Sequence, residues 1–491
     1  MKLFLKGHDF RYELENVIRL FFDKVEVLQG APMEKDKKED YCFLRRSKLK
    51  EKYKLVCVVF VRGGMSGKTA ELDVADGEKE CELRFARILY EVLMTVMDKY
   101  PPWGIMTGIR PAKFVEGFLK KGMSAQDVRE MMCSRYLVSQ QKAELCVKTA
   151  LCGMKTESGS TKSYSLYVSI PFCPSRCSYC SFVSKSVERS GALIEPYLSA
   201  LYEELRAVAK IARELSLKLE TVYIGGGTPT VLSALQLGEL TGVIAENFPI
   251  DDVREYSAEA GRPDTITKEK LAVLKNAKIT RLSINPQTGN DEVLRRIGRR
   301  HTAKNIDDCF AQARSLGFSN INADLIAGLD GDSLLSFKES LEWLLSLSPE
   351  NITVHALTQK RASQIRECGS WSGVDASAMV DYAGGRLTQA GYAPYYMYKQ
   401  KATVDNLENT GFTKPGFEGL YNIFTMDERH TIIAAGAGAV SKLKNQISGD
   451  IERIYNYKYP AEYIDGFSTI LKRKEEIRNF YENIVPKKET V

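Results

Sequence analysis

Cys173, Cys177 and Cys180 lie in the run Tyr167-Val168-Ser169-Ile170-Pro171-Phe172-Cys173-Pro174-Ser175-Arg176-Cys177-Ser178-Tyr179-Cys180, a C-x3-C-x2-C spacing. Three thiolates on one short loop can grip three corners of an iron–sulfur cube and leave the fourth iron open. Four-cysteine electron-transfer clusters close that position. An open iron can chelate the amino and carboxylate groups of S-adenosylmethionine. Electron transfer into the bound sulfonium then releases a 5′-deoxyadenosyl radical, chemistry that belongs to the cofactor. Three plainer readings compete. With 11 cysteines in 491 residues, chance gives this spacing in roughly one chain in two hundred. A zinc knuckle wants a fourth Cys or His nearby, and the nearest histidine is His301. A redox C-x2-C leaves Cys173 unexplained.

The loop leaves a strand, Leu166 to Ile170, that opens a regular alternation. A helix follows from about Pro196, with Leu198, Leu201, Leu205, Val208 and Ala212 on one face. Strands are expected at Thr221–Ile224, Glu255–Glu259, Arg281–Asn285, Asn320–Ile326 and Asn351–Leu357, with helices between them, including Ala234–Glu246 and Lys268–Lys275. Six strands separated by helices imply parallel βαβ units and a partial (β/α)6 barrel, whose ligand site lies at the C-terminal strand ends. Before this core, residues 1–157 read as an N-terminal α/β domain. Its marks are the helical spacing of Leu14, Val17, Ile18 and Phe21, a strand at Lys54–Val61 and a helix at Leu83–Met97. The polar stretch Glu157-Ser158-Gly159-Ser160-Thr161-Lys162-Ser163 is a linker. The barrel spans 164–370, and 371–491 is a C-terminal α/β region covering the substrate, with a helix near Pro460–Tyr481.

Composition bounds the partners. Net charge is +6, from 69 basic and 63 acidic residues, too mild and too evenly spread for a nucleic-acid partner. It suits a small anionic substrate. Charge enters the N-terminus too early for a signal peptide, and Val56–Val61 and Thr431–Val440, the longest apolar runs, fall far short of a membrane span. A cytoplasmic chain is expected. There, most cysteines are expected to be buried small hydrophobes, and those outside the cluster, such as Cys42, Cys57, Cys133, Cys309 and Cys368, have no ligand spacing. Gly63-Gly64-Met65-Ser66-Gly67-Lys68-Thr69 nearly spells a phosphate loop, but Arg62 occupies the first glycine position and a strand pattern follows, so a hairpin is expected. Gly436-Ala437-Gly438-Ala439-Val440-Ser441 lacks the third glycine of a dinucleotide fingerprint. The four histidines are scattered and support no metal site.

From Tyr164 to Ser441 the chain resembles radical SAM proteins of the oxygen-independent coproporphyrinogen III oxidase family. Tyr167 matches that family's aromatic beside the cluster and cofactor. Gly225-Gly226-Gly227-Thr228-Pro229-Thr230 matches its glycine motif, which places Gly226, Gly227 and Thr228 at the cofactor. Glycines there let the backbone approach the methionine amino group. The resemblance also assigns cofactor contacts to Glu259, Gln287, Arg299 and Asp324 on successive strand ends, and more loosely to Thr358 and Val440. It implies a [4Fe–4S] cluster on Cys173, Cys177 and Cys180, S-adenosyl-L-methionine, and a low-potential electron donor.

Two positions depart from the oxidase pattern. Ser169 stands where the oxidase carries His, and Phe182, which haem-chaperone relatives share, stands where the oxidase carries a further Cys. The N-terminal extension, the segment Pro102-Trp103-Gly104-Ile105-Met106-Thr107-Gly108-Ile109-Arg110-Pro111, and Tyr398-Lys399-Gln400-Lys401 with Asp405-Asn406-Leu407-Glu408-Asn409 are similar to a longer branch, the coproporphyrinogen dehydrogenases. The reaction implied is oxidative decarboxylation of coproporphyrinogen III to protoporphyrinogen IX, twice per substrate. The adenosyl radical takes a propionate β-hydrogen, and loss of CO2 and an electron leaves a vinyl group. Arg176, Lys399 and Lys401 are candidates to meet the carboxylates of this anionic tetrapyrrole. The alternatives are a haem-binding chaperone on the same scaffold, and a radical SAM methyltransferase or ring-opening enzyme acting on a tetrapyrrole.

Overall fold

A computed structural model describes residues 1–33, 39–156, 160–180, 184–358, 375–400 and 403–484. Phe182, Cys368 and Lys401 lie outside the described residues. The chain divides into two compact units, Met1–Val147 with Lys399–Leu407, and Lys148–Tyr398 with Glu408–Val491.

The first unit carries a five-stranded sheet in the order Glu26–Gln29, Lys2–Lys6, Tyr41–Leu49, Lys52–Val61, Gly64–Asp73. Alternation along Lys52–Val61 sends Leu55, Cys57, Val59 and Val61 to one face, where they meet Leu14, Val17 and Ile18 of the helix Arg11–Ile18 and Phe85, Leu89 and Leu93 of the helix Gly77–Met97. Cys42 and Cys57 are part of this core, and burial pushes the Cys57 thiol up to about 12. The glycine-rich run near residue 63 is a hairpin, with Arg62 and Gly63 at φ 51° and 79° between paired Val61 and Gly64. Two consecutive left-handed residues match the twist of the strands they join.

The second unit is built on an 11-stranded sheet. At its centre the strands Ser163–Ile170, Lys218–Gly226, Glu255–Glu259, Arg281–Ser283, Ile321–Ala327 and Asn351–Ala356 run parallel in chain order. The helices Ile194–Glu214, Ala234–Asn247, Lys268–Asn276, Ala303–Ser315 and Leu334–Ser346 fall between them. Ser233, Thr267 and Ser333 cap three of these helices, each side chain accepting from the backbone N–H three residues on. Such a cap is worth about 1 kcal/mol. The barrel strands are buried on both faces. Leu166, Val168, Val222 and Ile224 have no exposed surface, and Tyr167, Tyr223, Glu259 and Asp324 occupy the alternate positions.

The fourth strand stops at Ser283, two residues short of expectation. Pro286 lacks the N–H that pairing needs, and Gln287 then bridges to Leu325 with φ 72°. The C-terminal helix is two helices, Pro460–Asp465 and Phe467–Ile484. They break at Gly466, where a Cβ would lie 2.2 Å from the Tyr457 ring. The tail also extends the sheet. Glu408–Thr413 pairs antiparallel with the sixth barrel strand, and Thr431–Ala435 lies parallel to the first, so the apolar run at residue 431 is a sheet strand. Among the described residues no helix is long and apolar enough to cross a membrane.

Candidate functional site

The first barrel strand ends at Ile170 and leads into Phe172–Cys173, which pairs with Lys185–Ser186. The end of the second strand closes on this loop. Gly227 N donates to Ile170 O at 2.8 Å and Thr228 N to Phe172 O at 2.7 Å, while Thr228 Oγ1 donates to Cys173 Sγ at 3.5 Å. A Cβ on Gly227 would lie 2.4 Å from Phe172 O, so glycine is required here by the protein's own backbone. Gly226, at φ 111°, holds a conformation that only glycine adopts readily.

Cys177 and Cys180 sit on a turn closed by Cys180 N donating to Cys177 O at 3.1 Å. Ser178 N donates to Ile297 O at 3.1 Å, which pins that turn to the segment after the helix Asp291–Arg296. Two buried arginines face the thiols. Arg262 Nη1 lies 3.4 Å from Cys177 Sγ, and its other nitrogens hold Ser175 Oγ at 3.1 Å and Asp264 at 2.9 Å. Arg299 donates to Asn285 O at 2.6 Å and bonds Tyr179 and Cys177. Burial opposes the Arg299 charge, and Tyr179 and Cys177 more than restore it. Burial pushes the Cys173 thiol up, against hydrogen bonds from Ser184 and Thr228.

Inside the barrel, Tyr167 and Tyr223 are register partners with ring centroids 6.2 Å apart, and Tyr421 stacks 4.5 Å from Tyr223. Tyr223 OH donates to Glu259 Oε1 at 2.6 Å. Burial pushes the Glu259 carboxyl up to about 7; the Tyr223 hydrogen bond opposes this and the charge of Asp324 adds to it. Gln287 N donates to Asp324 O, and Gln287 O accepts from Ile326 N, both at 2.9 Å. A non-glycine residue held left-handed stores strain of the kind that collects at ligand sites. Asp324 accepts from Asn322 Nδ2 at 2.8 Å and faces His355 Nε2 at 3.6 Å. Its burial favours the neutral acid, but the His355 contact holds the carboxyl below the usual range.

The thiol loop, Gly226 to Thr228, Glu259, Gln287, Arg299 and Asp324 thus form one connected set. Thr358 follows the sixth strand, with its hydroxyl 3.4 Å from Ala356 O, and Val440 opens the strand Val440–Lys444 opposite Tyr455. Lys399 is buried in the first unit, where its ammonium donates to Met106 O at 2.7 Å. Arg176 is exposed on the thiol loop. Reading the sequence alone missed Arg262, Tyr179, Tyr223, Tyr421 and His355. Arg262 was within reach, three residues past Glu259 at a strand end.

These residues suit an iron–sulfur cube with a polar ligand beside it. The donors are soft thiols, and the guanidinium groups of Arg262 and Arg299 favour an anionic centre. Buried Asn285 Oδ1 and Arg299 Nε have no hydrogen-bond partner in the protein, which leaves capacity for a bound polar molecule. Among the described residues no three ligating side chains converge as one metal ion requires, a demand that a cube gripped at its corners does not make.

The radical SAM superfamily model matches residues 167–344. The chain is 34% identical over 483 residues to the oxygen-independent coproporphyrinogen-III oxidase-like protein HemZ of Bacillus subtilis, covering 95% of this chain and 96% of that one. To the heme chaperone HemW of the same organism it is 40% identical over 194 residues, 39% of this chain and 50% of that one. The solved coproporphyrinogen III oxidase HemN of Escherichia coli shares the fold, with a TM-score of 0.51 at 24% identity over 63% of this chain and 70% of that one.

Proposed function

Because this chain belongs to the oxygen-independent coproporphyrinogen III oxidase-like family of radical SAM proteins, whose cofactors are a [4Fe–4S] cluster and S-adenosylmethionine, we propose that it oxidatively decarboxylates coproporphyrinogen III to protoporphyrinogen IX. The observation that carries this reading is the near full-length likeness to the oxidase-like relative. Cys173, Cys177 and Cys180 would hold the cluster. Tyr167, Gly226, Gly227, Thr228, Glu259, Gln287, Arg299, Asp324, Thr358 and Val440 would line the cofactor. When bound, the two together supply a 5′-deoxyadenosyl radical.

The chain's own residues orient and insulate that chemistry. Arg262 and Arg299 place positive charge against Cys177 of the thiol loop. Glu259, ionised, is an acceptor for the cofactor's amino group, and Asp324, kept ionised by His355, is an acceptor for hydroxyls. The Tyr167, Tyr223 and Tyr421 rings fill the barrel beneath them and exclude water.

A second reading, a haem-binding chaperone, is favoured by the 40% identity to the heme chaperone over 194 residues, 39% of the chain. Anaerobic incubation of reconstituted protein with coproporphyrinogen III, S-adenosylmethionine and reductant separates them. The oxidase reading expects vinyl product and CO2 in step with 5′-deoxyadenosine. Tight haem binding with no vinyl product would establish the chaperone. Deoxyadenosine with neither outcome would point to another radical reaction on a tetrapyrrole.

A further inference from the structure

The two buried arginines at the thiols are not equivalent. Arg299 keeps its Nε without a partner and so has capacity for a bound molecule. Arg262 keeps none. Its Nε and Nη2 grip the Asp264 carboxylate at 3.0 and 2.9 Å. Nη2 also donates to Ser175 Oγ at 3.1 Å, and Nη1 donates to Ser175 O and Cys177 Sγ, both at 3.4 Å. These are five hydrogen bonds, as many as a guanidinium has N–H groups. Arg262 and Cys177 are both buried, 3% and 8% exposed. A buried fork with every donor in use has none left for a cofactor or substrate carboxylate.

The segment that carries Arg262 is braced from behind. Thr265 N and Oγ1 both donate to Arg262 O, at 3.0 and 2.7 Å, and close the turn Pro263–Thr265. The Thr265 hydroxyl also meets Thr230 Oγ1 at 2.7 Å, and Lys270 Nζ donates to Thr230 O at 2.7 Å and to Thr265 O at 3.1 Å. The turn is thus locked to the glycine segment whose Thr228 meets Cys173. The two sulfurs have unlike surroundings. Cys173 takes neutral hydroxyl donors from Thr228 and Ser184, whereas Cys177 takes charged donors from Arg262 and Arg299. A guanidinium whose plane is fixed by a bidentate carboxylate keeps its place, and its charge, buried there, is little screened by salt.

We infer that Arg262 is dedicated to tuning the centre held by Cys173, Cys177 and Cys180: its charged N–H···S bond to Cys177 raises the reduction potential of that centre. An added electron makes the cluster more negative, and a positive donor on a ligand sulfur favours the more negative state. Arg262 therefore sets how readily the centre accepts an electron, while touching neither S-adenosylmethionine nor the tetrapyrrole. A purely structural ion pair fits the observations less well. Asp264 by itself satisfies such a pair, yet three of the five bonds go to the loop that presents the thiols.

The inference rests on the cluster reading above, and the test separates the two. Reconstituted wild type, Arg262→Gln and Arg295→Gln are titrated electrochemically and followed by EPR. Arg295 is an exposed arginine of the helix Asp291–Arg296 and serves as the control for charge alone. Arg262→Gln should lower the equilibrium constant for one-electron reduction at least about tenfold, a fall of about 59 mV in midpoint. Arg295→Gln removes the same charge from screened surface and should change that constant less than about threefold. A loaded Arg262→Gln cluster whose midpoint matches wild type, or moves no further than that of Arg295→Gln, would overturn the inference and leave the cluster reading intact. The bond is also read without altering Arg262. In wild type and in Arg299→Lys, each carrying isotopically labelled arginine nitrogen, pulsed EPR of the reduced cluster should show coupling to that nitrogen; the second protein retains Arg262 as the arginine on Cys177. Should Arg262→Gln take up no iron, this measurement decides, and absence of the coupling from wild type overturns the inference. A wild type that loads no cluster would overturn the cluster reading and this inference together.

Discussion

His355 Nε2 lies 3.6 Å from Asp324 Oδ2, and its Nδ1 lies 3.3 Å from Asn409 Oδ1. Asn409 Oδ1 also accepts from Ala356 N at 3.1 Å, which fixes it as the oxygen. Both ring nitrogens therefore face acceptors, an arrangement that only the doubly protonated imidazolium satisfies. Burial opposes that charge, but Asp324 wins and raises the His355 pKa above 6.5. The histidine's stabilisation is thus complete below its unfolded pKa and is lost as pH rises through its raised native value. The Asp324 pKa lies below 3.8, so its share is complete above that value and is lost only as pH falls through the depressed native one. His355→Gln should cost about 1–3 kcal/mol near pH 6, and the gap from wild type should narrow at pH 9. Urea unfolding at both pH values measures it; a gap independent of pH would refute the imidazolium.

Glu259 predicts the opposite trend for cofactor binding. Its pKa, pushed up by burial to about 7, leaves much of it neutral in the empty protein at neutral pH. A neutral carboxyl accepts an ammonium group poorly, so S-adenosylmethionine affinity should rise from pH 6 to pH 8. Glu259→Gln should weaken binding by about 1–3 kcal/mol at pH 8 and flatten the profile. Equilibrium dialysis under anaerobic conditions reads both, and a Gln variant that keeps the wild-type slope would remove Glu259 from the site.

Each of Cys173→Ala, Cys177→Ala and Cys180→Ala should abolish cluster loading, since a three-thiolate site has no spare ligand. Iron content and visible absorbance after anaerobic reconstitution measure this. Full iron retention in any one variant would refute the assignment.

The strands and the thiol loop were legible because their signals are local: a continuous apolar run of strand length, a capping Ser or Thr, a fixed cysteine spacing. Gly226 and Asp324 were reached only through resemblance. The partners of the site were not legible, because they come from distant segments with ordinary side chains. Nothing in the string marks Arg262 as turned toward Cys177, or His355 as one of four scattered histidines that meets an aspartate. The shortening of the fourth strand could have been read from Pro286. The placement of Thr431–Ala435 beside the first barrel strand could not, since 260 intervening residues separate the paired strands.

Two glycines give a contrast of sign. A Cβ at Gly227 would meet Phe172 O at 2.4 Å, and the obstacle is backbone that cannot rotate away. Gly227→Ala should cost about 1–3 kcal/mol and lower iron loading by displacing Cys173. Gly242 lies inside the helix Ala234–Asn247 with nothing within 4 Å of its missing Cβ. Gly242→Ala should be neutral or stabilise by up to about 1 kcal/mol. Equal unfolding midpoints and equal iron content in the two variants would contradict the close approach at Gly227.

Glu204 and Lys474 are both fully buried, 2.9 Å apart. Glu204 also accepts from Gly436 N at 2.8 Å, Asn456 Nδ2 at 2.7 Å and Tyr463 OH at 2.5 Å, and Lys474 donates to Ala434 O at 2.7 Å. The pair thus ties the C-terminal helix to the loop after Thr431–Ala435, where a Cβ on Gly436 would lie 2.6 Å from Ser169 O. Ser169 itself donates to Ala437 O at 2.9 Å, so the same loop braces the strand that carries Tyr167. Removing one charge strands the other without water. Lys474→Met should cost about 3–5 kcal/mol, because an unpaired buried carboxylate is far worse than no pair. Adding Glu204→Gln should recover most of that loss, since the amide still meets Gly436 N through its oxygen and carries no charge. Urea unfolding of the wild type, the single and the double variant decides it. A double variant no more stable than Lys474→Met would show that packing around the lysine stem, rather than the stranded charge, sets the cost.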